Sequence, residues 1–223
     1  MLNLSILQHA DSAFPSGSFA FSGGIEGLAA LEGRLDVARL VGILEVVLRH
    51  RWAGCERVAL VQAWRQGPEA ERLAPIDRAL EAATLPSTLR TGSRRNGSAL
   101  LATHRRLETP GAAAMQAAIA EDRMLGHLAP VQGALWRSLG IAEADAVMMS
   151  AYTTLTALTS ATVRLNALGA LAVQAALSQV LPLIADYADT SEITEETPLA
   201  GALPWLDLAC ARQEVAELRL FSN

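Results

Sequence analysis

One stretch near the start of the chain gathers the residue types that most often do chemistry. DSAFPSGSFAFSGGIEG, residues 11–27, holds the hydroxyls of Ser12, Ser16, Ser18 and Ser22, the carboxylates of Asp11 and Glu26, and glycines at 17, 23 and 24. Gly-rich segments that open helices can cradle a phosphate on their backbone N–H groups. This one is neither GxGxxG behind a strand nor GxxxxGK[ST], and its serines form no GxSxG elbow. A structured turn between helices fits better. Phe14, Phe19, Phe21 and Ile25 would not be left in water, so the turn must touch something. Glu26 reads as a carboxylate at a helix terminus.

Other candidate groups are scattered. The histidines are His9, His50, His104 and His127, and none pairs with another at helical spacing. His9 with Asp11, or His50 with Cys55, could share an ion, but isolated histidines are more often structural, so no metal site is assigned. Cys55 has Glu56 and Arg57 beside it but no catalytic signature. All 18 basic residues are arginine. The absence of lysine removes Schiff-base, pyridoxal and phosphate-loop chemistry together, and no cofactor is assigned. Arg90, Arg94, Arg95, Arg105 and Arg106 fall in one segment but not on one helical face. That argues against a nucleic-acid groove and for a solvated surface or an acidic protein partner. Arg164 is the only formal charge between Ala146 and Ala185, and marks an internal ion pair or a contact site.

The elements that must position these groups are helical. Apolar residues recur at helical spacing along most of the 223 residues, and no alternation lasts long enough for a sheet. The pattern predicts an all-α bundle of roughly ten helices forming one domain over residues 1–223. Asp36 caps a helix running to about Gly54, and Gly33 and Gly67 stop the two helices before them. Pro86 separates two more. Thr109-Pro110 predicts a helix with proline in its first turn. Glu143–Gln179 reads as the longest helical stretch, with a packing seam at Met148, Ala151, Leu155, Leu158, Thr162 and Leu165, and with Gly169 as either a kink or a point of close backbone approach. The acidic run DYADTSEITEETP reads as a solvated loop.

Hydrophobic residues make up 51 % of the chain and the net charge is −5. Those totals suit a packed core and favour neither nucleic acid nor an acidic membrane as partner. Leu165–Ala185 is long enough to cross a membrane, but its glutamines, Pro182 and bare flanks favour a buried or interface helix instead. Two distant cysteines and no leader pattern predict a cytoplasmic chain.

In order and spacing, four motifs resemble the UreF family of urease accessory proteins. The first is LQHADSAFPSGSFAFSGGIEG, with Asp11, Ser12, Pro15, Gly17, Phe19, Ser22 and Glu26 at the matching positions. The second is SRRNGSALL, with Arg94 and Arg95. The third is VRLNALGALAVQ, with Arg164 and Gln174. The fourth is the tail LRLFSN, with Leu218, Arg219, Leu220 and Phe221. Ser16 and Asn223 depart from the glycine and serine usual there. The resemblance implies a non-enzymatic, homodimeric chaperone. It would act with a UreG-type GTPase and a UreD/UreH-type scaffold to deliver nickel to urease apoprotein, using these residues as partner contacts. The residues by themselves also admit a helical enzyme with a pocket around Glu26 and Arg164.

Overall fold

The computed structural model describes residues 4–17, 23–33 and 35–214. Among these there are eleven α-helices and no strand: α1 (Ser5–Ala10), α2 (Ile25–Glu32), α3 (Val37–Val47), α4 (Glu56–Gln66), α5 (Ala70–Ala83), α6 (Ser87–Arg106), α7 (Ala112–Ala120), α8 (Leu128–Ser138), α9 (Glu143–Arg164), α10 (Ala170–Val180) and α11 (Pro204–Glu214). The expected all-α bundle is what forms. Local signals set several ends. The Asp36 side chain accepts a hydrogen bond from the Arg39 N–H at 2.7 Å, and the N–H groups of Gly33 and Gly67 close α2 and α4.

The core has two lobes. The larger gathers Leu28, Leu40, Leu44, Leu60, Leu155 and their neighbours, and the smaller gathers Leu73, Leu101, Met115, Val131 and Leu135. Helices α4 and α8 contribute to both, so their crossing joins the lobes. They approach backbone to backbone: a Cβ on Gly133 would lie 2.3 Å from the Leu60 carbonyl oxygen. At the start of α8, a Cβ on Gly97 of α6 would lie 2.0 Å from the Gly126 carbonyl oxygen. The turn before α8 is held by Asp77 of α5. Its fully buried carboxylate accepts from the N–H groups of Leu125, Gly126 and His127 at 2.6, 2.7 and 2.9 Å.

Three expectations change. Residues 143–179 form two helices, because Asn166 takes a left-handed conformation (φ 54°) and ends α9 before α10 starts behind Gly169. Asparagine tolerates that region, so the stop needs no proline. Pro110 precedes α7 rather than entering it, and Gly111 (φ 84°) is the residue that begins the helix. The acidic loop is gripped, not merely solvated. Arg57 donates to the carbonyls of Tyr187 and Asp189, Gln62 to those of Thr194 and Thr197, and Arg65 to that of Thr190. Arg65 also pairs with Glu143 at 2.6 Å. Burial alone would raise the Glu143 carboxyl, but hydrogen bonds from Arg65 and Thr190 hold it below its ordinary value.

The seam of α9 is buried at Ala151, Leu155, Leu158 and Thr162, while Met148 is partly exposed. Ala170–Tyr187 is apolar and long enough to span a membrane, with mean hydropathy 1.3. It is not one continuous α-helix. After Val180 it tightens into a 3₁₀ turn at Leu181–Tyr187, and Val173, Ala176, Leu177 and Val180 are buried in the larger lobe.

The glycines separate two effects that sequence alone confounds. Gly133→Ala must push α4 and α8 apart and is expected to cost about 1–3 kcal/mol. A methyl added to Gly42, inside α3, would meet nothing within 4 Å. Gly42→Ala is therefore expected to stabilise by about 0.5–1 kcal/mol. Denaturant midpoints of the two variants should move in opposite directions.

Candidate functional site

Residues 9–17 do not lie loose on the surface. Asp11 shapes a turn: its side chain accepts from the Ala13 N–H at 2.9 Å, and its carbonyl accepts from the Phe14 N–H at 3.0 Å. The turn is clasped onto α6. The Thr103 hydroxyl donates to the Pro15 carbonyl at 2.7 Å. Gly17 (φ 80°) sits so close to Ala99 that an added Cβ would lie 2.5 Å from the alanine methyl. The rings of His9, Phe14 and His104 pack together with centroids 4.7–5.6 Å apart. Residues 9–17 of the first motif are thus assembled on α6 beside Ala99 of the second, with Gly17 needed for both its backbone angle and its close approach.

Beneath this clasp lies a cavity of about 500 Å³. Asp11, Ser12, Pro15 and Gly17 form part of its wall. Ser93 and Asn96 face it from α6, Gln132 and Trp136 from α8, and a row of hydroxyls ending at Arg164 from α9. The three inner motifs therefore converge, although they are far apart in the chain. A second groove, about 630 Å³, runs along the outside of α1 and α9 and brings Asp11 and Ser12 to Gln174 of α10.

The remaining candidates are placed elsewhere. Glu26 occupies the first turn of α2, where its charge suits the helix dipole, and it is not part of the cavity wall. Arg164 lines this cavity and Glu26 does not. Arg164 is half-buried in the last turn of α9, and its Nε donates to the Ser160 carbonyl at 3.4 Å. Burial lowers its pKa from the ordinary value. Arg94 approaches Glu81 at 3.8 Å, beside Arg90 at 3.3 Å and the His127 Nε2 at 2.8 Å, so this part of the cluster ties α6 to α5 and α8. Arg95 is exposed. Phe19, Ser22, Leu218, Arg219, Leu220 and Phe221 lie outside the described residues.

Several wall residues carry no sequence signal. The chain after α3 widens into a π turn at Leu48–Trp52, which buries Arg51 and Trp52 against the cavity. Such turns recur at functional sites. Arg51 pairs with Glu56 at 2.9 Å. Burial opposes the Arg51 charge, but Glu56 and its other anionic neighbours outweigh it and hold the guanidinium above its ordinary value. Burial pushes the nearby Cys55 thiol up to about 12, leaving it protonated and unreactive at neutral pH.

The clasp carries a pH dependence. Burial, reinforced by His9, pushes His104 down from 6.5 to about 4. Below pH 6.5 the unfolded chain takes up a proton that the folded chain refuses until about 4. Stability from this group is therefore complete above the unfolded value and falls as the pH drops through that window. His104→Phe is expected to flatten the fall of the thermal midpoint across it.

Comparison with known proteins gives one consistent result. The UreF family model matches residues 35–181. The chain is similar to the urease accessory protein UreF of Kocuria rhizophila, at 30 % identity over 99 % of this chain and 96 % of that one. It is similar to that of Cereibacter sphaeroides at 34 % over 99 % and 98 %, and to that of Trichodesmium erythraeum at 28 % over 99 % and 96 %.

Proposed function

The chain belongs to the UreF family of urease accessory proteins, and from that premise we propose that it is a non-catalytic chaperone of urease maturation. In this reading it bridges a UreD/UreH-type scaffold and a UreG-type GTPase on urease apoprotein, and nickel is cargo delivered by the assembly. Nucleotide chemistry belongs to the GTPase, which accords with the absence of lysine from this chain. The observation that carries the reading is the clasp. Asp11, Ser12, Pro15 and Gly17 form a shaped, exposed turn seated on the family's second motif, as a preformed contact surface requires. Recovery of urease accessory proteins with the tagged chain, from cells carrying a urease operon, is the expected result. Their absence from the eluate would refute it.

The tail is assigned to the scaffold contact. Burial of Leu220 and Phe221 at an interface contributes roughly 1.5–3 kcal/mol each, less the entropy of ordering the segment. Deleting residues 219–223 should therefore weaken scaffold binding about tenfold or more and leave helicity by circular dichroism unchanged. Unchanged affinity would remove the tail from the interface.

The working unit in this proposal is a homodimer joined through the outer face of α9 and α10. Met148, Tyr152, Val163 and Leu171 are exposed there, the last at 86 %. Arg164 is the only charged side chain between Ala146 and Ala185. A face so nearly uncharged can meet its own copy with little like-charge repulsion. Light scattering should report about twice the 23.6 kDa chain mass. Leu171→Glu adds a charge that the first turn of α10 tolerates, so it should yield a folded monomer.

A further inference from the structure

The chain carries a net charge of −5, yet residues 84–107, which include all of α6, hold five of its 18 arginines and none of its 23 acidic residues. The fold divides those arginines into two sets. Arg90 and Arg94 approach Glu81 of α5 at 3.3 and 3.8 Å, and Arg90 also donates to the carbonyls of Thr84 and Leu85. Their charge serves contacts within the molecule. Arg95, Arg105 and Arg106 are exposed.

Helix geometry sets how the exposed set is presented. Arg95 and Arg106 are eleven residues apart, close to three turns, so they share one face at about 16 Å along the axis. Ser98 and Ala102 fall between them on the same stripe, and neither is bulky. Ala99 and Thr103 form the adjoining row, and they carry the clasp: Gly17 packs on Ala99, and the Thr103 hydroxyl holds the Pro15 carbonyl. The clasp is therefore bordered by arginine at both ends of its seat on α6. Its own acidic residue, Asp11, lines the groove against α9 and Gln174 of α10. Glu108, two residues past α6, leaves the three exposed arginines in excess. Cations in a last helical turn suit the helix dipole, which bears on Arg105 and Arg106. Arg95 lies mid-helix and gains nothing from that effect.

We propose that this arginine-bordered face of α6, with the exposed edge of the clasp beside it, binds an acidic segment of a partner protein. Carboxylates of that segment pair with Arg95 at one end and with Arg105 and Arg106 at the other. Guanidinium forks match carboxylates in geometry. Exposed ion pairs are individually weak, so the face acts by steering and selecting a partner of opposite charge. Three arginines on a chain of net charge −5 are too few for a nucleic-acid surface. The proposal deepens the reading of the clasp as a contact surface and rests on that reading for the identity of the partner.

A fluorescent octaglutamate peptide, about 26 Å long when extended, is titrated into the full-length chain and followed by anisotropy. Saturable binding that weakens as salt is raised is expected. The Arg95→Gln/Arg106→Gln double variant should bind the peptide about fivefold or more weakly. Arg72→Gln, which removes an exposed charge from α5, should bind as the parent does. All three positions are exposed and glutamine is a good helix former, so circular dichroism should be unchanged. Equal affinity of the parent and the double variant, an equal loss in Arg72→Gln, or tighter binding of an octauridylate RNA would each overturn the proposal. The same variants in the recovery experiment from cells carrying a urease operon separate the two readings. Poor recovery by the double variant alone supports both. Full recovery by the double variant overturns the acidic contact and leaves the chaperone reading standing. No recovery by the parent refutes the chaperone reading, and the peptide titration then decides the acidic contact by itself.

Discussion

The buried carboxylate of Asp77 is the constraint on which the arrangement around the cavity depends. A fully buried acidic group is tolerated only when its hydrogen bonds are met, and here three consecutive backbone N–H groups meet them. That contact fixes the turn before α8. The turn sets how α8 lies against α6 at Gly97 and against α4 at Gly133, where backbones touch and no side chain fits between. Since α8 presents Gln132 and Trp136 to the cavity, a shift of this turn would move the wall that the clasp covers.

The converse device, a side chain donating to backbone carbonyls, holds other irregular segments. Carbonyls of the acidic loop are taken by Arg57, Gln62 and Arg65, all on α4. The carbonyls that end α5 and follow it, at Thr84 and Leu85, are taken by Arg90 of α6. The Pro15 carbonyl is taken by Thr103. In each case a side chain on a rigid helix satisfies a carbonyl that no helix can. Arginine suits this task because its planar fork offers several donors at fixed angles.

In the proposed reading, the consequence is a surface prepared before any partner arrives. Residues 9–17 include the Asp11–Phe14 turn followed by Pro15 and Gly17, a segment that would otherwise sample many conformations, and ordering it on contact would weaken association. The ring cluster of His9, Phe14 and His104 meets that ordering cost in the free chain. The neutral state of His104 is part of the arrangement, since a charge within stacked, buried rings would oppose the packing.

Helix content, most helix ends and family membership were legible in the sequence. Asp36, Gly33, Gly67 and Pro86 act through their own backbone neighbours, so their effects are local and readable. The order of the motifs carried the family, including the opening segment that lies before the region matched by the family model. The break between α9 and α10 was partly legible. Gly169 is the conspicuous residue there, whereas Asn166 makes the stop, because a left-handed residue at a helix end depends on what packs beyond it. The cavity was not legible. Arg51, Glu56, Thr88 and Trp136 come from separate elements, and periodicity reports which face of a helix is buried but not which helix will face it. Only the tertiary structure, by pressing glycine backbones together at the crossings of α8 with α4 and α6, decided that these side chains line one pocket.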